Sequence, residues 1–204
     1  MDEQELLELV NRGHELLGVE FKSGGAFGNG LRAKAIRAIL ALSNLRDGGT
    51  LIVGVAEQGV AATLVPLNAE QAATWSADAV LAQVNRYADP PIDLRCEHVL
   101  VGGGTAVVIS VEPFATEPTI CSRDCHVGDQ QVLVEGAVYV RSLARRASEA
   151  VKSAQDMRAL LDMAIERRLA RFVATAERAG VDLQLAVDSA AEAEAAYDRE
   201  LEGL

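Results

Sequence analysis

Leucines and a valine recur at helical spacing between Glu3 and Arg12, and Gly13 follows them. That pattern predicts a short amphipathic helix with a glycine stop. The stretch LLGVEFK then predicts a strand, the glycine-rich SGGAFGNG a loop, and LRAKAIRAILALSNL a second helix. In that helix Ile36, Ile39, Leu40 and Leu42 fall on or near one apolar side, with Arg32, Lys34 and Arg37 elsewhere. RDGG ends it, and TLIVGVA, a short apolar run rich in β-branched residues, suits a buried central strand. EQG turns the chain into VAATLVPL, so a hairpin is expected. Residues 69–87 predict the next helix, stopped at DPP because two prolines cannot continue it. IDLRCEHVLV, GGG and TAVVISVEPF follow as strand, turn and strand, and GAVYVRS reads as the last strand. Helical pattern returns over residues 146–179 and, after Gly180, to the end.

This order predicts an α+β domain over residues 1–146, a mixed sheet with flanking helices, and a helical tail over 147–204. In the tail Met157, Leu160, Leu161, Ala164, Ile165 and Phe172 form an apolar stripe opposite Arg158, Arg167, Arg168 and Arg171. Such a stripe packs either on its own domain or on a partner, another copy of the chain included.

Composition narrows the class of protein. Half of the 204 residues are apolar, as in a folded globular chain. No apolar run approaches a membrane span, and MDEQELLELV is acidic where a secretory leader is basic, so a cytoplasmic protein with no membrane partner is expected. Cys96, Cys121 and Cys125 make an odd count that argues against a disulfide framework. A net charge of −11 excludes a protein that coats nucleic acid indiscriminately. Yet from Phe21 to Arg46 every formal charge is positive: Lys22, Arg32, Lys34, Arg37 and Arg46. That stretch is either a directed binding surface or a solvated helix face.

Candidate chemistry starts at HELLGVEFK, where Glu15 and Glu20 stand five residues apart. On a regular strand they point to opposite faces, and they converge only if the chain bends between them, for which Gly18 is the candidate. They are then either part of a divalent-metal site or two unrelated acids.

Four pieces, GVEFK, AILALSNLRDGGTLIVGVAEQG, YADPPIDL followed by VVISVEPF, and GAVYVRS, together resemble the Schlafen AlbA-like domain family, described as nucleic-acid-binding or divergent ATP-binding domains. The resemblance spans roughly residues 15–146. It implies an α+β domain that pairs with a second copy, or is duplicated within one chain, to form a basic groove for structured RNA, with RNA favoured over DNA and a setting in antiviral defence. Some members cleave transfer RNA with three acids, and the matching positions here are Glu15, Glu20 and Glu57, the third a glutamate where the nucleases carry aspartate. Three carboxylates would supply hard oxygen ligands to Mg2+ or Mn2+. Lys22, Arg32, Lys34, Arg37 and Arg141 are the residues expected to meet nucleic acid. The alternative is a non-catalytic DNA-binding or protein-interaction module of a larger complex, served by the tail.

Other constellations add less. GGAFGNG precedes a helix whose free N–H groups suit a phosphate, but no GK[ST] follows, so ATP hydrolysis is not expected. CSRDCH lacks a second pair of close ligands. Zinc of the family type is not expected either, since Leu94 replaces the histidine and Ala115 and Thr116 follow VEPF. Cys121, Cys125 and His126 are the alternative zinc ligands. Nothing ties His14, His98 or His126 to a nucleophile.

Overall fold

The computed structural model describes residues 2–13, 16–58, 61–142 and 147–181. At its centre is a four-stranded mixed sheet of β1 (Val19–Lys22), β2 (Gly49–Val53), β6 (Leu94–Val101) and β7 (Gly104–Val111), in the order β1-β2-β7-β6. β1 runs parallel to β2, which places a helix between them, α2 (Asn29–Ser43), while β2 pairs antiparallel with β7. β6 and β7 form a hairpin closed by Gly102 and Gly103, both at positive φ. This is the mixed α+β sheet the pattern predicts.

Alternation along the strands divides the apolar residues between two cores. Val19, Phe21, Ile52, Val99, Val101, Ala106 and Val108 pack with Leu6 and Val10 of α1 (Glu3–Gly13). Leu51, Val53, Val107, Ile109 and Val111 pack on the other face with α2. Glu20 and Lys22 alternate with Val19 and Phe21 and so belong to the α2 side of β1.

Four features differ from the sequence pattern. TLIVGVA is not one strand, because β2 stops at Val53 and β3 (Val55–Gln58) pairs instead with β4 (Ala61–Leu64). The break is Gly54, at φ +106, where a Cβ would also press on Leu67 Cδ1 at 3.1 Å. The helix expected over 69–87 is two helices, α3 (Ala69–Ala73) and α4 (Ala77–Asn85). Ser76 caps the second, its side chain accepting from Ala79 N, and Trp75 between them is fully buried.

The third difference concerns α2, which is not two-faced. Beyond Arg37 every residue of it is buried, since the sheet covers one side and the small strands the other. Those strands are β5 (Ala88–Asp89), which pairs with β8 (Ile120–Cys121), β9 (Cys125–Val127) with β10 (Gln130–Leu133), and β11 (Tyr139–Ser142) with β12 (Ala147–Ala150). Lastly, GAVYVRS is not the final strand. Residues 147–150, expected in a helix, form β12, so the domain limit expected at 146 falls between two paired strands. Helix α5 (Ala154–Arg178) begins later and passes from one compact unit, ending at Leu161, into a second that begins at Asp162.

Candidate functional site

Residues 17–18 form a turn ahead of β1, in keeping with the bend expected at Gly18. Glu15 lies outside the described residues. Glu20 is buried on the α2 side of β1 and meets two cations. Its Oε1 accepts from Lys22 Nζ, and its Oε2 accepts from Arg141 Nη1 and, at 2.7 Å, from Ser148 Oγ. Arg141 also donates through Nε to Leu17 O at 3.1 Å and through Nη2 to Val19 O at 2.8 Å. One carboxylate thus ties the EFK strand to the VYVR hairpin, and Lys22 lies at the outer edge of the cluster, half-buried.

Burial pushes the Glu20 pKa up, but the charges of Lys22 and Arg141 and the hydrogen bonds from Lys22 and Ser148 outweigh it, leaving the carboxyl below its ordinary value. The three charges sum to one surplus positive charge. A divalent cation would meet that field and two competing cations at Glu20. Glu57 stands exposed on β3. Among the described residues no group of three His, Cys, Asp or Glu side chains could hold a metal ion. Glu20 with its two cations and exposed Glu57 do not by themselves make a site for the ion that the family resemblance implies, and no catalytic step is derived through it.

The basic residues divide. Arg141 is buried and spends its donors inside the protein, so it is placed as a clamp rather than as a surface group. Arg37 is half-buried, with Nε enclosed and without a hydrogen-bond partner, and its charge acts on the Tyr139 hydroxyl. Arg32 and Lys34 occupy the first two turns of α2, the part that reaches the surface. Arg32 donates to Asn29 Oδ1 at 2.8 Å, and Lys34 is exposed. Gly28 begins this helix without a side-chain cap, so the positive end of the helix dipole lies beside these two cations.

Sequence reasoning missed what stands next to Arg32. The Tyr87 hydroxyl lies in the field of both Arg32 and exposed Arg86, with Cys125 as hydrogen-bond partner. Its pKa is raised, by burial first and then by Cys125, so the ring carries a neutral phenol. Two arginines thus lie within electrostatic reach of a half-buried tyrosine hydroxyl near the open end of α2. In the sequence Arg86 and Tyr87 are 54 and 55 positions from Arg32, and only the covering of α2 by the small strands unites them.

GGAFGNG is pinned in place. Trp75 Nε1 donates to Gly25 O at 2.8 Å, Phe27 N donates to Thr74 Oγ1 at 2.8 Å, and the Phe27 and Trp75 rings lie 4.6 Å apart. Another unforeseen group is buried Asn44, which donates to Thr119 O and Tyr139 O, each at 2.9 Å, and accepts from Thr119 N at 2.8 Å. It secures the end of α2 to β11, which is why AILALSNL carries a polar residue in an apolar run.

Cys96 lies apart from Cys121, which is within the field of Cys125. Cys96 Sγ and His98 Nε2 both face Trp75 O, at 3.5 and 3.0 Å, whereas Cys121 Sγ donates to Arg123 O at 3.3 Å. Arg145 and Arg146 lie outside the described residues. No helix among the described residues is long and apolar enough to cross a membrane.

Comparison with known proteins follows this geometry. No curated protein matches the chain. Solved structures similar to it at low identity include the following two. The DIP2311 protein from Corynebacterium diphtheriae is 16% identical with a TM-score of 0.46, over 76% of this chain and 28% of that one. The N-terminal domain of an ATP-dependent DNA helicase RecG-related protein from Nitrosomonas europaea is 18% identical with a TM-score of 0.42, over 76% of this chain and 93% of that domain. The chain therefore spans less than a third of the Corynebacterium protein. The family model described as Schlafen, AlbA_2 matches residues 15–147, from the acid before the EFK strand to the start of β12, and the chain belongs to that family.

Proposed function

We propose that this domain binds the phosphate backbone of a nucleic acid, RNA in preference to DNA, at the open end of α2. The observation that carries the reading is the grouping of Arg32, Arg86 and the Tyr87 ring there, with Lys34 in the next turn and no side-chain cap on the helix. Cations at an uncapped helix N-terminus favour phosphate, and a half-buried tyrosine in the field of two arginines suits an unstacked base. A net charge of −11 confines such binding to a local patch, because the rest of the surface repels a polyanion. Membership of the Schlafen AlbA_2 family supports the same reading.

The test is titration of labelled transfer RNA, single-stranded DNA and duplex DNA across a salt series, with the chain's association state measured alongside. The expected result is tightest binding to RNA, with Arg32→Ala/Lys34→Ala/Arg86→Ala weakening it at least tenfold. Removing one phosphate-binding cation should flatten the log–log salt slope by roughly 0.7 on single strands. Unchanged binding by the triple variant, or no binding by the parent chain, would overturn the reading.

Metal-dependent cleavage by Glu15, Glu20 and Glu57 is decided in the same samples by adding Mg2+ or Mn2+. Glu57→Gln is the diagnostic variant, since an exposed side chain changes without disturbing the core. Cutting that Glu57→Gln abolishes would establish the acid trio, and its absence leaves a binding module.

A further inference from the structure

β6 is the last strand on its side of the central sheet, and among the described residues no strand pairs with its outer edge. The β6–β7 hairpin fixes which backbone groups lie on that edge. Gly102 and Gly103 form its two-residue turn, so the closing pair Val101–Gly104 exchanges hydrogen bonds, and such pairs recur at every second residue. Val101, Val99, Glu97 and Arg95 therefore bond to β7, while the N–H and C=O groups of Leu100, His98, Cys96 and Leu94 point away from the sheet. Thr105, opposite Leu100, agrees with this phase, because it exchanges both of its backbone bonds with Leu67 rather than with β6. Among the described residues the outward backbone groups of Cys96, His98 and Leu100 meet no backbone partner. A row of such groups is a template for another strand.

The side chains make this edge complementary to itself. Arg95 and Glu97 are exposed and share a face of β6 with buried Val99 and Val101. Outward groups must meet outward groups, so if a second β6 lies antiparallel alongside the first, the two-fold axis passes through a residue position. An axis at Arg95 sets arginine against arginine, and one at Glu97 sets glutamate against glutamate. An axis at His98 sets both charges against valines, and axes beyond it overlap less strand. An axis at Leu94 would need the Ile92 backbone, which already exchanges two hydrogen bonds with the Asn85 side chain, at 2.8 and 3.2 Å. An axis at Cys96 places Arg95 of each copy directly opposite Glu97 of the other, in a pair without hydrogen bonds, where cross-strand side chains come closest.

We propose that two copies of this chain associate through the β6 edge, antiparallel about a two-fold axis at Cys96, so that their four-stranded sheets join into one continuous sheet. In this register Leu94 of each copy exchanges backbone hydrogen bonds with His98 of the other. Leu100, 78% exposed in the single chain, comes level with Ile92 of the second copy and gains an apolar neighbourhood there. Association of this kind needs no nucleic acid and uses none of the cations at the open end of α2.

The test is sedimentation velocity of the full chain, free of nucleic acid, across a concentration series. The parent chain is expected to pass from monomer to dimer. Arg95→Glu and Glu97→Arg each turn two opposite-charge pairs into like-charge pairs, and each should weaken the dimer roughly tenfold or more. Mixing the two variants restores opposite charges at both contacts, so the mixture should dimerise as the parent does although neither variant does so alone. A folding defect could not produce that rescue. Amide exchange reads the edge itself, and Cys96 and His98 should be slowed as the dimer forms. A chain that stays monomeric at every concentration would overturn the proposal. A dimer insensitive to both reversals, a mixture that stays apart, or a dimer whose Cys96 and His98 amides exchange as fast as in the monomer would overturn it as well. Protection of those amides already in the monomer would assign the edge to another segment of the same chain and have the same consequence.

Discussion

A carboxylate buried beside two cations contributes to stability as long as it stays ionised, and Glu20 is such a group. Replacing it by glutamine leaves Lys22 and Arg141 facing each other in a largely enclosed site. Breaking a buried pair in this way costs about 3 kcal/mol. Chemical denaturation of Glu20→Gln should show a loss of that order, and an unchanged midpoint would contradict the clamp. Because the folded carboxyl titrates below the unfolded value of 4.5, its stabilisation is complete above that pH and is lost as pH falls through the folded value. Melts between pH 7 and pH 3 should therefore show the parent losing stability below about pH 4.5, while Glu20→Gln, less stable from the outset, loses less over the same window. Cys96 offers a second test at this scale. Burial, with Glu97 nearby, raises its thiol to about 11. At pH 8 roughly a thousandth of it is thiolate, so alkylation of the native protein should spare Cys96 and accelerate toward pH 11. Rapid labelling of Cys96 at pH 8 would refute its placement behind Trp75.

Among the elements, α2 departs furthest from its sequence pattern. Its alanines, Ala33, Ala35, Ala38 and Ala41, are all buried, and they let the sheet and the small strands approach it from opposite sides. That arrangement depends on the α3–α4 junction, where Trp75 fills the gap below the glycine loop and holds Gly25 through its indole N–H. Trp75→Ala should destabilise the domain by about 3–5 kcal/mol, read by circular dichroism because it removes the chain's one tryptophan. It should also release the loop, seen as faster amide exchange at Gly25 and Phe27. A loss below about 1 kcal/mol would mean that the loop is not anchored there. Asn44 works at the other end of α2. Its truncation would leave the Thr119 N–H and two carbonyls without their partner, so Asn44→Ala is expected to cost about 2–3 kcal/mol in the same measurement.

For the whole molecule the governing quantity is the contrast between a net charge of −11 and an acid-free stretch from Phe21 to Arg46. The fold uses that stretch in two ways. Lys22 is spent on Glu20, while Arg32 and Lys34 are left at the open end of α2 beside Arg86. Binding should accordingly weaken with salt and depend on the second group and not on the first. A Lys22→Met variant is expected to change RNA affinity less than threefold, whereas the α2-end triple variant loses at least tenfold.

Local chemistry made much of this legible from the residues. Short apolar, β-branched segments marked β1, β2, β6 and β7, glycines marked the turns, and the ordered EFK, GG-LIVGV and VYVR pieces identified the family, because each records a requirement met within a few neighbouring positions. The strands β5, β8, β9 and β10 were not legible, since two to four residues carry no period and are held by pairing partners far along the chain. Charge was only partly legible for a related reason. The family resemblance pointed to Arg141 as a nucleic-acid contact and to Glu20 as a metal ligand, but 121 residues separate them, and only the docking of the β11–β12 hairpin on β1 makes each the other's counter-ion. The sequence by itself determined which residue types the molecule had to bury and where its chain could turn. Tertiary structure decided which charges were neutralised and which were left at the surface, because desolvation and Coulomb energy depend on distances that no local pattern records.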